Sequence, residues 1–183
     1  MKKILVTGSN TGLGKFLKKH FLATGFSRKT NFSKIKKIKW DLVVHCAFNT
    51  NKHQEIENFD KLINDNLVLS HNISQLSGKK IFISSCSVYE NIDTNQRSEE
   101  KKILIKKENS NYSKLKILCE KYFNINKDII IRSGSIIGVD TKKNTIQKIL
   151  FDKKPNVYLS RESLYSFITH QEILDFIKIC ISR

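Results

Sequence analysis

Tyr112 and Lys116 are the residues whose types and spacing most directly suggest chemistry. Side chains four residues apart project from one face of a helix, so the phenol and the ammonium would be neighbours. An ammonium beside a phenol favours the phenolate, so a group with a free pKa of about 10 can act as an acid or a base near neutral pH. The same spacing also arises on solvated surface helices, so the pair alone does not define a site.

A second segment combines glycine with an apolar strand. Residues 4–6 predict a short buried strand, and residues 7–14 follow it with the spacing Gly-x-x-x-Gly-x-Gly. Glycines at a strand-to-helix turn let backbone N–H groups and the helix N-terminus approach a pyrophosphate. Glycine is also common at such junctions when no ligand binds, but the position at the first strand favours a dinucleotide site.

Basic residues occupy the position that reads the cofactor ribose in dinucleotide-binding proteins. NAD-binding proteins tend to carry an acid at the end of the second strand, about 20 residues after the glycines. Residues 25–30 contain no acid but include Arg28 and Lys29. Arg28 could clamp a 2′-phosphate with Lys29 assisting, which predicts NADP(H) as the preferred cofactor and leaves NAD(H) possible. The alternative is a solvated basic turn in a lysine-rich chain.

Strand and helix patterns alternate along the chain, which predicts an α/β fold with a doubly wound parallel sheet and helices on both faces. The predicted strands are residues 4–6, 25–28, 41–47, 80–84, 129–132 and 157–159. The predicted helices are residues 13–22, 56–76, 110–123 and 146–151, and a last helix that starts at Thr169 with Glu172 completing a capping box. Residues 93–109 are polar and charged and are interpreted as a mobile loop with one short helix.

Several segments, taken in order, resemble the extended short-chain dehydrogenase/reductase family. Residues 81–89 are similar to the strand that bears the family's catalytic serine or threonine, and the matching position is Ser85. Tyr112, Lys116 and Glu120 reproduce the family's Tyr-x-x-x-Lys-x-x-x-Glu helix. The resemblance covers nearly the whole chain and is nearest to nucleotide-sugar epimerases, dehydratases and reductases.

Two further matches concern the cofactor. Residues 41–47 resemble the strand that passes under the adenosine and the nicotinamide ribose, and Asn66 matches the family's helix asparagine. The resemblance implies cofactor contacts at Gly8, Asn10, Thr11, Gly12, Leu13, Gly14, Arg28, Lys29, Cys46, Ala47, Asn66, Ser84, Tyr112, Lys116 and Ser133. It implies a Rossmann-like sheet with a small C-terminal substrate part.

The implied reaction couples hydride transfer to proton transfer. Tyr112 would donate a proton to a ketone oxygen, or remove one from a hydroxyl in the reverse direction. Lys116 would lower the pKa of Tyr112 and hold the nicotinamide ribose, and Ser85 would hydrogen-bond the reacting oxygen. A strand-end hydroxyl that caps a loop is the alternative role for Ser85. The implied substrate contacts are Ser87 and Ser135, and no metal site is expected.

The chain also departs from the family. Glu90 replaces the glycine after the Val-Tyr pair, and Val139 replaces a proline. Dehydratases carry an acidic pair after the catalytic residue, where this chain has Cys86 and Ser87, so dehydration is disfavoured because it needs an acid and a base. Ser135 stands where relatives place an asparagine that contacts the substrate diphosphate.

The C-terminal region sets the predicted domain organisation. The family's substrate domain is much larger than the segment after Gly138. Residues 1–183 are therefore predicted to form a single dinucleotide-binding domain, with 139–183 as a reduced substrate-side segment. The pocket would be either open or completed by another subunit.

Composition limits the remaining partners. Hydrophobic residues make up 39% and charged residues 27%, as in soluble globular proteins, and no membrane partner is expected. Four dispersed cysteines without a Cys-x-x-Cys pair predict no disulfide and a cytoplasmic location. The net charge of +16 would suit nucleic acid, an anionic membrane or a phosphorylated small molecule. Scattered lysines favour a compositional bias instead, so no specific nucleic acid is predicted.

The favoured hypothesis is an NADP-preferring oxidoreductase that acts on a nucleotide-linked sugar, as a 4-keto sugar reductase or an epimerase. The alternatives are a non-catalytic dinucleotide-binding regulator or subunit of a sugar-modifying complex, and a protein that binds nucleic acid through its basic surface. The resemblance also implies a homodimer, in which helices 56–76 and 110–123 form a four-helix bundle. Its apolar surface is predicted to come from Leu67, Leu69, Ile73, Leu115, Leu118 and Phe123. The alternative is that both helices simply pack on the sheet.

Overall fold

The structure, a computed structural model, describes residues 2–50, 59–90, 103–156, 160 and 162–182. The strands are β1 (Ile4–Thr7), β2 (Thr24–Phe26), β3 (Leu42–His45), β4 (Lys79–Ser85), β5 (Ile129–Ser133), β6 (Ser135–Ile137) and β7 (Phe167–Thr169). The first five form a parallel sheet in the order β2-β1-β3-β4-β5, and β6 pairs in parallel with β7 in a separate small sheet. The predicted Rossmann-like architecture is confirmed.

The helices surround this sheet. They are α1 (Gly12–His20), α2 (Phe32–Lys36), α3 (Phe59–Ile63), α4 (Leu69–Ser74), α5 (Asn111–Glu120), α6 (Thr145–Phe151) and α7 (His170–Ser182). A π-helical turn, Asn64–Val68, joins α3 to α4, and a 3₁₀ turn, Cys86–Tyr89, follows β4. No helix in these described ranges is long and apolar enough to span a membrane.

Alternation along the strands divides the core between the two faces of the sheet. Val6 and Val44 face α1 and α7, and they belong to a buried cluster with Leu17 and Ile173. Neighbouring strand residues point the other way because strand side chains alternate between faces. On that face, Leu5, Phe26, Ile35, Trp40, Val43, Ile73 and Leu76 form one buried cluster, and Phe82, Cys119 and Phe123 form another.

Most predicted elements match the observed ones to within a few residues. The Ser110 hydroxyl caps α5 by accepting from the Ser113 N–H at 3.2 Å. The predicted capping box before α7 is confirmed, since the Glu172 carboxylate accepts from the Thr169 N–H at 2.7 Å and the Glu172 N–H donates back to the Thr169 hydroxyl at 3.2 Å.

Some predictions differ from the structure or lie outside it. The second strand is Thr24–Phe26 rather than 25–28, and it ends where Phe26 enters the core and the chain turns toward α2. The sequence did not predict α2 or β6. The predicted strand 157–159 and parts of the predicted helix 56–76 and loop 93–109 lie outside the described residues.

The strand order opens a cleft at the carboxyl ends of β1 and β3. The chain crosses from β1 to β2 on one side and then returns to place β3 on the other side of β1. In open α/β sheets, ligands bind in the crevice at such a reversal. The register pairs Thr7 with His45 and Ser85 with Ser133, so the ends of four strands meet at this edge.

Candidate active site

Glycines form a close turn between β1 and α1. Gly8 has a φ of 68°, and a Cβ there would lie 2.9 Å from the Ala47 nitrogen. A Cβ on Gly14 would overlap the Gly8 carbonyl oxygen. Gly12 has a φ of 50°, and a Cβ there would lie in van der Waals contact with Asp140 and Thr141. Thr11 makes no side-chain capping bond to the N-terminus of α1. The turn therefore leaves helix N–H groups available to an anionic group such as a diphosphate.

Two adjoining cavities extend across the carboxyl edge of the sheet. The tyrosine cavity, of about 730 Å³, contains Tyr112 and Lys116. The arginine cavity, of about 710 Å³, contains Arg28 and Lys29. Five residues line both: Gly8, Thr11, Ala47, Phe48 and Asn49. An elongated cleft of this size, with the glycine turn at its centre, fits a dinucleotide.

Ser85 and Tyr112 meet inside the tyrosine cavity. Ser85 is the last residue of β4, and its hydroxyl accepts from the Ser87 N–H at 3.2 Å. The Ser85 hydroxyl is also hydrogen-bonded to Tyr112, which lowers the pKa of the phenol. Burial has the larger effect, so the pKa of Tyr112 is raised overall. The phenol is therefore protonated at neutral pH and able to donate.

Lys116 lies beneath this pair and is buried. Its ammonium donates to the Ile83 carbonyl at 2.8 Å and lies 3.7 Å from the centre of the Phe48 ring. The distance to the centre of the Tyr112 ring is 5.8 Å. Burial lowers the pKa of Lys116 to about 8. The sequence predicted that Lys116 lowers the pKa of Tyr112, but in this structure the hydrogen bond from Ser85 does so because the ammonium is directed toward Ile83 and Phe48.

Glu120 fixes α5, the helix that carries Tyr112 and Lys116, against the sheet. Its carboxylate accepts from the Ser84 hydroxyl at 2.6 Å and from Arg132 Nη2 at 2.9 Å. Arg132 Nη1 also donates to the Tyr89 hydroxyl at 2.8 Å. These bonds connect α5 to β4, β5 and the 3₁₀ turn. Ser84 lines the tyrosine cavity, but its hydroxyl is engaged by Glu120.

Asn66 has a different position from the one that the family resemblance implies. Its side chain is fully buried and lines neither cavity. Its Oδ1 accepts from the Asn49 N–H at 2.7 Å, and its Nδ2 donates to the Asn49 carbonyl at 3.1 Å. Asn66 therefore holds the loop that follows β3, and that loop in turn lines both cavities.

The remaining predicted cofactor contacts lie along the cleft. The tyrosine cavity is lined by Gly8, Thr11, Gly12, Leu13, Gly14, Cys46, Ala47, Ser84, Tyr112, Lys116 and Ser133, and the arginine cavity by Gly8, Asn10, Thr11, Arg28, Lys29 and Ala47. Burial raises the pKa of the Cys46 thiol to about 12. Cys46 is therefore a neutral wall of the cavity and not a nucleophile.

Both predicted substrate contacts line the tyrosine cavity. Ser135 shares a hydrogen bond of 2.7 Å with the Tyr165 hydroxyl. The buried Ser87 hydroxyl has no hydrogen-bond partner in the described part of the chain. A buried hydroxyl is usually satisfied, so Ser87 is suited to contact a ligand in this cavity.

An acid that the sequence reasoning missed lies in the arginine cavity. Arg28 Nη2 is 3.2 Å from Asp65 Oδ2, which also accepts from Asn49 Nδ2 at 2.8 Å. Asp65 belongs to the π-helical turn and not to the end of β2, where the ribose-reading acid was sought. Only the three-dimensional packing brings it beside Arg28.

The described residues contain no group of three or more His, Cys, Asp or Glu side chains that could hold a metal ion. The four cysteines are free.

A parallel sheet with a reversal of strand order, a glycine turn and a Ser-Tyr-Lys set in one cleft define a Rossmann-type dinucleotide-binding protein. The sequence model of the NAD dependent epimerase/dehydratase family matches residues 4–128, which is more than half of the chain. The chain therefore belongs to this family, and the predicted enzyme class and family resemblance are confirmed. No protein with a curated function matches it in sequence.

Solved structures agree with this fold. TunA, described as an NAD dependent NDP-hexosamine 5,6-dehydratase of tunicamycin biosynthesis, matches at a TM-score of 0.79 and 16% identity, over 100% of this chain and 73% of that one. A UDP-N-acetylglucosamine 4-epimerase from Methanobrevibacter ruminantium M1 matches at a TM-score of 0.77 and 19% identity, over 99% of this chain and 73% of that one. A dTDP-4-dehydrorhamnose reductase from Bacillus anthracis str. Ames, in complex with NADP, matches at a TM-score of 0.75 and 19% identity, over 100% of this chain and 71% of that one. At these identities the likeness establishes the fold.

Proposed function

We propose that this protein is an NADP(H)-preferring 4-keto sugar reductase or epimerase whose substrate is a nucleotide-linked sugar. The observation that carries the proposal is the hydrogen-bonded Ser85–Tyr112 pair, which lies above buried Lys116 in a cleft that continues to the glycine turn. Similar folds that act on nucleotide-linked sugars include the 4-epimerase and the NADP-bound reductase described above, and they support this substrate class.

Tyr112, Ser85 and Lys116 have different roles in the proposed reaction. The bound nicotinamide would supply or accept the hydride. Tyr112, kept protonated by burial, donates to the carbonyl oxygen, and the Ser85 hydroxyl hydrogen-bonds the same oxygen. Lys116 uses one N–H for the Ile83 carbonyl and keeps two donors for the ribose hydroxyls of the cofactor.

The neighbours of Ser85 favour reduction or epimerisation over dehydration. Cys86 and Ser87 provide no carboxylate beside the reacting oxygen, and removal of water from a sugar needs an acid and a base. Cys46 cannot serve as the base because its pKa is about 12. The connection from the glycine turn to β3 is short, as it is in the reductase branch of the family. Residues 139–183 would form the substrate side of the cleft, either open or completed by another subunit.

Arg28 supports the NADP(H) preference. It lies in the arginine cavity beside Lys29, and an arginine fork can contact a 2′-phosphate while it keeps its bond to Asp65. Arg28→Ala should weaken the binding of NADPH and leave the binding of NADH nearly unchanged. Lys19→Ala, on the exposed side of α1, is the matched control. Equal weakening of both cofactors, or a wild-type preference for NADH, contradicts the assignment.

The family resemblance favours a homodimer. The four free cysteines fit a reducing cytoplasm. The apolar surface, however, differs from the prediction. Ile73, Leu115 and Phe123 are buried within the chain and cannot face a partner, so any interface must use exposed neighbours such as Phe59 and Val68. Sedimentation that shows only a monomer at micromolar concentration rejects the dimer.

One experiment tests the proposed function. NADPH and NADH are titrated by fluorescence, and nucleotide-sugars are then screened for oxidation of the bound cofactor. Oxidation by a 4-keto nucleotide-sugar is the expected result. Tight NADPH binding without turnover of any nucleotide-sugar would instead favour a dinucleotide-binding regulator or subunit.

A further inference from the structure

The loop between β6 and α6 lies over the glycine turn. The position of a Cβ on Gly12 is 3.6 Å from the Asp140 carbonyl oxygen and 3.6 Å from the Thr141 methyl carbon. The Asp140 carboxylate forms an ion pair of 2.5 Å with Lys15 on α1. Asp140 has a φ of 60°, a left-handed conformation that is uncommon outside glycine. The loop therefore turns sharply at Asp140 and is tied to the first turn of α1.

Hydrogen bonds also hold the far side of this loop. The Thr141 hydroxyl donates to the Gly138 carbonyl at 2.8 Å. Asn144 caps α6 through a capping box with Gln147, and its Nδ2 donates to the Ile136 carbonyl at 3.0 Å. These contacts fix the backbone on both sides of Lys142.

Lys142 is the charged residue of this loop that pairs with none of the residues that the structure describes. Lys143, beside it, pairs with Asp152 at 2.6 Å, and Lys15 pairs with Asp140. Lys142 forms no ion pair with the part of the chain that the structure describes, yet it lines the tyrosine cavity together with the glycine turn. An unpaired ammonium at this point adds positive potential to the uncapped N-terminus of α1.

We propose that Lys142 is a diphosphate-binding residue and that loop 138–144 presents it to the cleft. This inference rests on the proposed function, which brings two diphosphates to the site: one in the dinucleotide and one in the nucleotide-linked sugar. The dinucleotide diphosphate is the nearer of the two because the loop contacts Gly12 directly.

The test compares Lys142→Ala with wild type in binding assays that need no turnover. The probes are NADPH, ADP-ribose, UDP and dTDP. Loss of one exposed charge-assisted contact is expected to weaken binding about threefold to tenfold at low salt, and less at high salt. Lys148→Ala removes an exposed lysine of α6 that lies outside both cavities, and it is the matched control.

The probes distinguish the two sources of diphosphate. Weakening of NADPH and ADP-ribose supports a contact with the cofactor, and weakening of UDP and dTDP supports a contact with the substrate. Unchanged affinity for all four probes, equal weakening in Lys148→Ala, or a wild type that binds none of them overturns the inference. Absence of sugar turnover in wild type would contradict the proposed function and leave the binding result intact.

Discussion

The buried ammonium of Lys116 should lower the free energy of unfolding, and replacement of Lys116 by methionine should therefore raise it. Burial lowers the pKa of Lys116 from 10.5 to about 8. At about 1.4 kcal/mol per pKa unit, holding the ammonium in place costs about 3 kcal/mol at neutral pH. Lys116→Met removes the charge and keeps a similar shape. It also loses the hydrogen bond to the Ile83 carbonyl, worth about 1 kcal/mol, so the expected gain in stability is about 2 kcal/mol.

The gain should depend on pH with a defined sign. Below pH 8, Lys116 is charged in both the folded and the unfolded chain, and the full cost applies. As pH rises from 8 toward 10.5, the folded chain loses its proton first, so wild type gains stability relative to the variant. The cost of the ammonium falls to about 1 kcal/mol at pH 10, which the lost hydrogen bond offsets. The advantage of methionine should then be close to zero.

Urea unfolding at pH 7 and pH 10 measures this difference directly. Lys121→Met, at the exposed end of α5, is the control and should show no such pH dependence. A Lys116→Met variant that is less stable than wild type at pH 7, or whose advantage persists at pH 10, refutes the reasoning. The variant should also lose cofactor affinity and turnover, because the proposed function assigns Lys116 to the ribose.

Two further predictions concern the sheet and the glycine turn. His45 is buried between Thr7 and Ser70, and burial lowers its pKa from 6.5 to about 3, so stability should fall by up to about 5 kcal/mol as pH drops through that range. In His45→Asn the free energy of unfolding should fall less steeply than in wild type as the pH is lowered. An identical pH dependence in the two proteins would contradict this. Gly14→Ala should cost about 1–3 kcal/mol in urea unfolding and weaken NADPH, because its Cβ would overlap the Gly8 carbonyl oxygen. Unchanged stability and affinity would show that the turn can relax.

The sequence predicts the sheet and the convergence of the candidate catalytic residues for a simple physical reason. Buried parallel strands are nearly continuous apolar runs, and their carboxyl ends share one edge, so residues that follow different strands converge. Ser85, at the end of β4, and Tyr112, in the first turn of α5 and two residues after the Ser110 cap, are brought together in this way. Helix periodicity then places Lys116 below Tyr112.

Contacts between distant segments could not be predicted in this way. Asp65 reaches Arg28 from the π-helical turn, Phe48 covers the Lys116 ammonium, and Asp140 binds Lys15 across the cleft. Each depends on the path of a loop, and the local pattern of hydrophobic residues does not specify that path. The short helix α2 had one local signal, since the Asn31 side chain accepts from the Ser33 N–H at 2.9 Å, but five residues are too few for a helical period.

The most direct test of the central claim is turnover by Tyr112→Phe. Phenylalanine keeps the ring and deletes the proton that the reaction uses, and general acid catalysis is worth about 10²–10⁴ in rate. With a nucleotide-sugar that wild type reduces, oxidation of bound NADPH by the variant should slow by at least that order, with NADPH affinity within a few-fold of wild type. Retention of most of the wild-type rate would contradict the assignment of Tyr112 as the proton donor.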